Sequence, residues 1–166
     1  EAFRLDKIKQ AVRQRVIDLL SSVRIPSPAE RFDCYPFQFS GGMRQRTAAA
    51  IAIARSPRLL IADEPTTSLD VTIQAQFLKL LKDIQQQNNM GLILVSHDLS
   101  IVAEVCDRVA IMYAGRIVEN GTVKRVYEEP SHPYTQALMQ AIPKLGHKRR
   151  RLFPIEGEPP NPAKLP

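Results

Sequence analysis

No run in this sequence approaches the roughly eighteen uncharged apolar residues of a membrane-spanning helix. The longest candidate, Thr47 to Ala54, is closed off by Arg46 on one side and Arg55 on the other. The opening residues Glu1-Ala2-Phe3-Arg4 begin an amphipathic pattern instead of a charged-then-apolar secretion signal. The expectation is a cytoplasmic chain that cannot cross a bilayer by itself. Two cysteines, Cys34 and Cys106, are too few for a disulfide framework, and neither has a Cys or His companion at metal-ligand spacing. Both are expected as reduced thiols. No internal repeat is visible. A distributed basic face for nucleic acid is missing too. Of the formal net charge of +6, five positive residues lie between Lys144 and Arg151 with no acid among them, which leaves about +1 elsewhere.

What is present is 166 residues at 44% hydrophobic and 24% charged content, enough for one modest core. Apolar residues at Ile8, Val12, Val16, Leu19, Leu20 and Val23 form a helical stripe that stops before the turn at Pro26 and Pro28. After a loop through Tyr35-Pro36, Ser40-Gly41-Gly42 opens a second, alanine-rich helix over Met43 to Arg55. Leu59-Leu60-Ile61-Ala62 reads as a short strand buried on both faces. Asp70 can cap the next helix, whose face is Ile73, Phe77, Leu80, Leu81 and Ile84, and which ends at Asn88-Asn89 and Gly91.

A second buried strand follows at Leu92-Ile93-Leu94-Val95, and strand, helix, strand with this spacing predicts a parallel βαβ unit. The C-terminal ends of the two strands should then share an edge, with Asp63-Glu64 and His97 on it. Farther on, Arg108 to Tyr113 and Arg116 to Glu119 flank Ala114-Gly115 as a hairpin, followed by helical stretches near Thr122 to Glu129 and Pro133 to Ile142. From Pro143 the chain is rich in proline and charge, and regular structure is not expected there.

Three short motifs can carry chemistry. Ser40-Gly41-Gly42 before a helix offers backbone N–H groups and a helix dipole to a phosphate, although an isolated Ser-Gly-Gly is ordinarily a capped turn. Asp63-Glu64 at a strand end can hold Mg²⁺ through one carboxylate and polarise a water through the other. Such pairs usually cap helices or face solvent, but the C-terminal end of a parallel strand is where these sheets bind ligands. Ser96-His97-Asp98 is not a hydrolase triad, because consecutive residues at a strand end point in different directions. His97 alone could contact a terminal phosphate or the attacking water.

In order, FSGGMRQR at Phe39 to Arg46, LLIADEP at Leu59 to Pro65, SLD at Ser68 to Asp70 and SHD at Ser96 to Asp98 resemble the ABC ATPases. The resemblance implies an α/β fold, a partial P-loop NTPase with parallel core strands flanked by helices. It divides the chain into a helical, signature-bearing portion (1–56), the C-terminal part of the nucleotide-binding core (57–129) and a C-terminal extension (130–166). It implies ATP and Mg²⁺ as cofactors, with Asp63 on the Mg²⁺ shell, Glu64 polarising the water and His97 sensing the γ-phosphate. Ser40, Gly41, Gly42 and Gln45 would contact nucleotide held by an opposite subunit, and Asp70 would connect the two sites. Each role fits phosphoanhydride hydrolysis, which needs positioning and charge stabilisation more than covalent chemistry.

Met43, TTSLDVTIQAQ, CDRVAIMYAGRIVE and above all PSHPYTQAL from Pro130 to Leu138 look like the oligopeptide and dipeptide importer branch. That likeness implies a peripheral protein on the inner face of the membrane. Its partners would be a second ATPase subunit and membrane-spanning permease subunits, with an extracytoplasmic solute-binding protein acting indirectly. Some members of the branch hold an iron–sulfur cluster in a later cysteine-rich segment; no such cysteines occur here, so no cluster is carried over. Phe39 and Met43 stand where the commonest signature has Leu and Gln, with the Ser-Gly-Gly centre intact.

GxxxxGK[ST], the loop that cradles the phosphates, occurs nowhere in these residues, nor does an upstream strand for the Q-loop glutamine. The family is an ATPase, but this chain alone is expected to bind ATP poorly and to be inactive. Two other readings stand beside the importer: a soluble ABC-type ATPase acting on nucleic acid through Lys148-Arg149-Arg150-Arg151, and an inactive truncated fragment.

Overall fold

The computed structural model describes residues 2–67 and 69–141. Ser68 and the proline-rich segment from Pro143 lie outside the described residues, as does the end of the helix expected to reach Ile142. The chain divides into two compact units, Glu1–Ser96 and His97–Pro166.

The first unit is a helical layer on a two-stranded parallel sheet. Its elements are α1 (Ala2–Ser22), the single turn α2 (Pro28–Arg31), a 3₁₀ turn (Pro36–Gln38), α3 (Gly41–Ile53), β1 (Leu59–Asp63), α4 (Val71–Gln87) and β2 (Gly91–Val95). β1 and β2 pair in parallel, with Leu59 opposite Gly91 and Asp63 opposite Val95. The expected βαβ unit is therefore present. Asp70 caps α4 by accepting from the Ile73 N–H at 3.0 Å, and its stripe of Phe77, Leu80, Leu81 and Ile84 is at most 2% exposed. Those residues pack with Leu20 of α1, Val23 and Ile25 of the turn after it, Ala49, Ala50 and Ile53 from α3, and Leu60 from β1. The Arg46 guanidinium donates to the Val23 carbonyl at 3.2 Å, which joins α3 to the end of α1.

Burial departs from expectation in two places. Leu60 faces the core, but Leu59, Ile61, Ile93 and Val95, on the opposite face of the sheet, remain 46–61% exposed. The strands are thus covered on one face, where α1, α3 and α4 pack with Leu60. Likewise the α1 stripe is buried only at its C-terminal half; Ile8 and Val12 stay more than half exposed.

α3 starts at Gly41, two residues before the expected Met43, because the Ser40 hydroxyl accepts from the Met43 N–H and draws both glycines into the first turn. Gly42 then meets α4. A Cβ there would stand 2.7 Å from Ile73 Cγ2, whereas one on Gly41 would lie 3.7 Å from Leu69 Cδ2, an ordinary contact.

The second unit contains α5 (Leu99–Val105), β3 (Arg108–Tyr113), β4 (Arg116–Thr122), α6 (Val123–Glu128) and α7 (Pro133–Ala141). β3 and β4 form the expected antiparallel hairpin, running three residues farther than Glu119 and shifting register between Ile111 and Met112. Ala114 and Gly115 both have positive φ, 49° and 74°, the conformation of a tight hairpin turn whose twist matches its strands. α5 has no counterpart in the sequence reading. It forms because Asp98 accepts from the Ser100 N–H at 2.8 Å, while Ile101 and Val102 are buried.

The Gly42 contact yields a stability test. Gly42→Ala gains up to about 1 kcal/mol of helix propensity, but overpacking against a β-branched neighbour costs about 1–3 kcal/mol. Its urea midpoint should fall, while Gly41→Ala should be neutral or stabilised. Equal midpoints for the two variants would contradict the packing.

Candidate functional site

Phe39 sets up the first motif. Its side chain is buried, and its carbonyl accepts from the Arg44 guanidinium at 2.7 Å. A bulky aromatic at this position therefore acts as an anchor, after which Ser40 emerges exposed at the head of a thirteen-residue helix. The Ser40 oxygen is engaged as a cap acceptor, so its O–H remains a donor. Gln45 lies one turn along α3 from Gly41, on the same face by helical periodicity, and is half-buried.

Asp63 and Glu64 stand at the C-terminal end of β1. Asp63 is the last residue of the strand and exposed. Glu64 is half-buried and takes a left-handed conformation, φ 45°, that residues with a side chain seldom adopt. A backbone bond and a side-chain bond help to hold it there. Its N–H donates to the Val95 carbonyl at 3.0 Å, extending the β1–β2 ladder by one residue. Its Oε2 accepts from the Thr67 hydroxyl at 3.2 Å. From Glu64 the chain continues through tight turns, Thr67 N–H to Glu64 carbonyl and Leu69 N–H to Thr66 carbonyl, to the exposed cap Asp70.

The fold thus brings the start of α3, the end of β1 and the 69–73 segment into one neighbourhood of the first unit, joined by the Gly42 and Gly41 approaches to Ile73 and Leu69. His97 opens the second unit, exposed, one residue before the cap Asp98. Among the described residues no group of three His, Cys, Asp or Glu side chains converges as a metal cage. A lone strand-end carboxylate suits Mg²⁺ that keeps its waters and takes its remaining ligands from substrate phosphates.

Two profiles of known families match the chain: ABC transporter over residues 3–67, and oligopeptide/dipeptide transporter, C-terminal region, over residues 118–166. The dipeptide transport ATP-binding protein DppD of Escherichia coli is 53% identical over 152 residues, 92% of this chain and 46% of that protein. The oligopeptide transport ATP-binding protein OppD of Bacillus subtilis is 51% identical over 167 residues, 98% of this chain and 47% of that protein. The chain belongs to the ABC transporter ATP-binding family. It spans about half the length of the curated relatives it matches. Among solved structures, cbiO1 of Clostridium perfringens, part of an ABC transporter complex, superposes with a TM-score of 0.62 at 33% identity over 73% of this chain and 47% of that one. A dimeric ATP-binding cassette in a post-hydrolysis state with ADP and Pi gives 0.57 at 25% identity over 66% and 46%. The α/β fold is accordingly a partial ABC ATPase fold.

Three residues that hold these segments escaped the sequence reading. Thr67 is one; a hydroxyl three residues after a strand-end acid is a legible turn signal. Tyr127 is another, donating to the Leu99 carbonyl at 2.5 Å. Burial, then the nearby Cys106 and Asp98, push its pKa up to about 12.

The third is Glu119, on β4 and only 3% exposed. Its carboxylate accepts from the Ser131 N–H at 2.9 Å and the His132 N–H at 3.1 Å, with Arg125 at 3.8 Å. The Pro130–Leu138 segment, which carries the importer resemblance, is thereby seated on the hairpin. These amide bonds, Ser131 foremost, hold the Glu119 carboxyl below its usual range against the opposing effect of burial.

A carboxylate with a depressed folded pKa stabilises above its unfolded value, about 4.3 for Glu, and that contribution fades as pH falls through the folded value. Glu119→Gln should therefore lower the denaturation midpoint at pH 7, and the gap from the parent should close in acid below that range. A gap independent of pH would contradict the clamp.

Proposed function

We propose that this chain is part of the ATP-hydrolysing motor subunit of a peptide importer, contributing the Asp63-Glu64 strand end to its own subunit's nucleotide site and the Ser40 region to its partner's. The observation that carries this reading is the conformation of Glu64. Glu64 is held at φ 45° by a ladder bond and a hydroxyl at the C-terminal end of a parallel strand, which is where such sheets bind ligands.

In this reading Glu64 accepts a hydrogen bond from the attacking water and orients it. Asp63 is the group that would hold the hydrated Mg²⁺, which when bound neutralises charge on the phosphate oxygens. His97 contacts the terminal phosphate oxygens. Ser40, through its free O–H, and the amides of Gly41 and Gly42 at the head of α3 receive the nucleotide of the opposite subunit, with Gln45 one turn behind. Asp70, whose carboxylate caps α4 beside the Gly42–Ile73 approach, joins the two sites.

Closure of two such subunits would be transmitted to membrane-spanning partners at the inner face of the membrane. Peptides are the favoured cargo because both named relatives are peptide transport proteins. The three-part division at residues 56/57 and 129/130 remains part of this reading. The phosphate loop comes, on this account, from the rest of a full-length subunit.

In such a subunit Glu64→Gln should leave ATP binding intact and slow turnover by at least about a hundredfold, the weight of a positioned general base. Steady-state hydrolysis with a parallel binding titration checks this; unchanged turnover would remove Glu64 from the role. The 166-residue chain alone should show no micromolar MgATP binding by calorimetry, and a micromolar isotherm would contradict the division of labour.

A further inference from the structure

We infer that Tyr127 is a positioning residue for the segment that carries His97. The inference rests on the proposed role of His97, and its geometry lies wholly within the second unit. His97 is followed at once by two anchors. Asp98 caps α5 by accepting from the Ser100 N–H at 2.8 Å, which fixes the backbone at the start of the helix. One residue on, the Leu99 carbonyl accepts from the Tyr127 hydroxyl at 2.5 Å.

This second bond is not needed to satisfy the helix. A carbonyl has two acceptor sites, and the first carbonyl of an α-helix already serves the N–H four residues ahead. Tyr127 therefore uses spare acceptor capacity, and its bond adds a direction to α5 instead of completing it. Partial burial strengthens that direction by limiting the water that competes for the bond. The ring is half-buried, and Val126 beside it is fully buried.

α6 is itself fixed at its N-terminal end. Thr122 caps it by accepting from the Arg125 N–H, and the Val123 N–H donates to the Asp107 carbonyl at 3.1 Å. The residue that grips Leu99 thus belongs to an element tied to the β3–β4 hairpin. The same hairpin carries Glu119 and, through it, the Pro130–Leu138 segment. The His97 segment consequently takes its bearing from the scaffold on which the importer-type C-terminal region is seated.

Tyr127→Phe removes one oxygen and keeps the ring, so it separates direction from packing. In a full-length subunit assembled with its transporter, kcat for ATP hydrolysis should fall about three- to tenfold, the weight of one neutral hydrogen bond, with KM for MgATP changed less than roughly twofold. In the chain itself, amide exchange over residues 99–105 should accelerate while exchange over α4 stays at the parent rate. Unchanged kcat in an active transporter, or a lowered melting temperature as the only effect, overturns the inference. If the parent subunit hydrolyses no ATP, the proposed function fails instead, and exchange alone decides: parent-like protection of 99–105 in Tyr127→Phe overturns the positioning role.

Discussion

The start of the proposed site in the first unit depends on the approach of α3 to α4 at Gly42, where a Cβ would come within 2.7 Å of Ile73 Cγ2. Because Gly42 carries no side chain, the first turn of α3 lies directly against the Ile73 side chain in the first turn of α4. Each turn is capped by the residue before it, Ser40 in one case and Asp70 in the other. Two exposed caps with polar side chains are thus brought to one edge of the core by a packing requirement. Gly42 has a packing reason as well as a phosphate-binding one, and the two do not compete. A methyl group at that position would move the very amides that the proposed partner nucleotide needs.

Glu64 depends on the same frame. Its left-handed backbone is tolerable because the Val95 carbonyl takes its N–H and the Thr67 hydroxyl donates to its carboxylate, and both partners are placed by the parallel pairing of β1 with β2 and the turns leading to Asp70. In the second unit, buried or half-buried polar groups do the corresponding work. Tyr127 directs the start of α5, and Glu119 gathers two amides of the Pro130–Leu138 segment. In both units the backbone near a proposed functional residue is held by a specific hydrogen bond, while apolar burial supplies the stability behind it.

The helical and strand periodicities announced most of this. The α4 stripe, the parallel pair and the Ala114-Gly115 hairpin follow from local rules of spacing and turn geometry, and the ordered motifs identified the family. α5 did not show, because it is seven residues long and depends on a cap and two buried side chains. The exposed sheet face was hidden as well, since an apolar strand reads the same whether one of its faces is covered or both. Glu119 gave little sign of itself: an acid paired across the hairpin with Ile111 becomes a clamp only when residues twelve and thirteen positions later fold back to it. Contacts made at that distance along the chain leave no periodic trace.

The central claim is that the Ser40 region completes a nucleotide site belonging to another subunit. It is tested most directly by counting occluded ATP in mixed dimers of full-length subunits, using Ser40→Arg and a disabled phosphate loop. With both changes in one subunit and the other intact, the account predicts that both sites are lost. With one change in each subunit, both fall on the same site and one occluded ATP per dimer remains. Retention of one ATP in the first arrangement and none in the second would show that each subunit closes its own site, and would contradict the account.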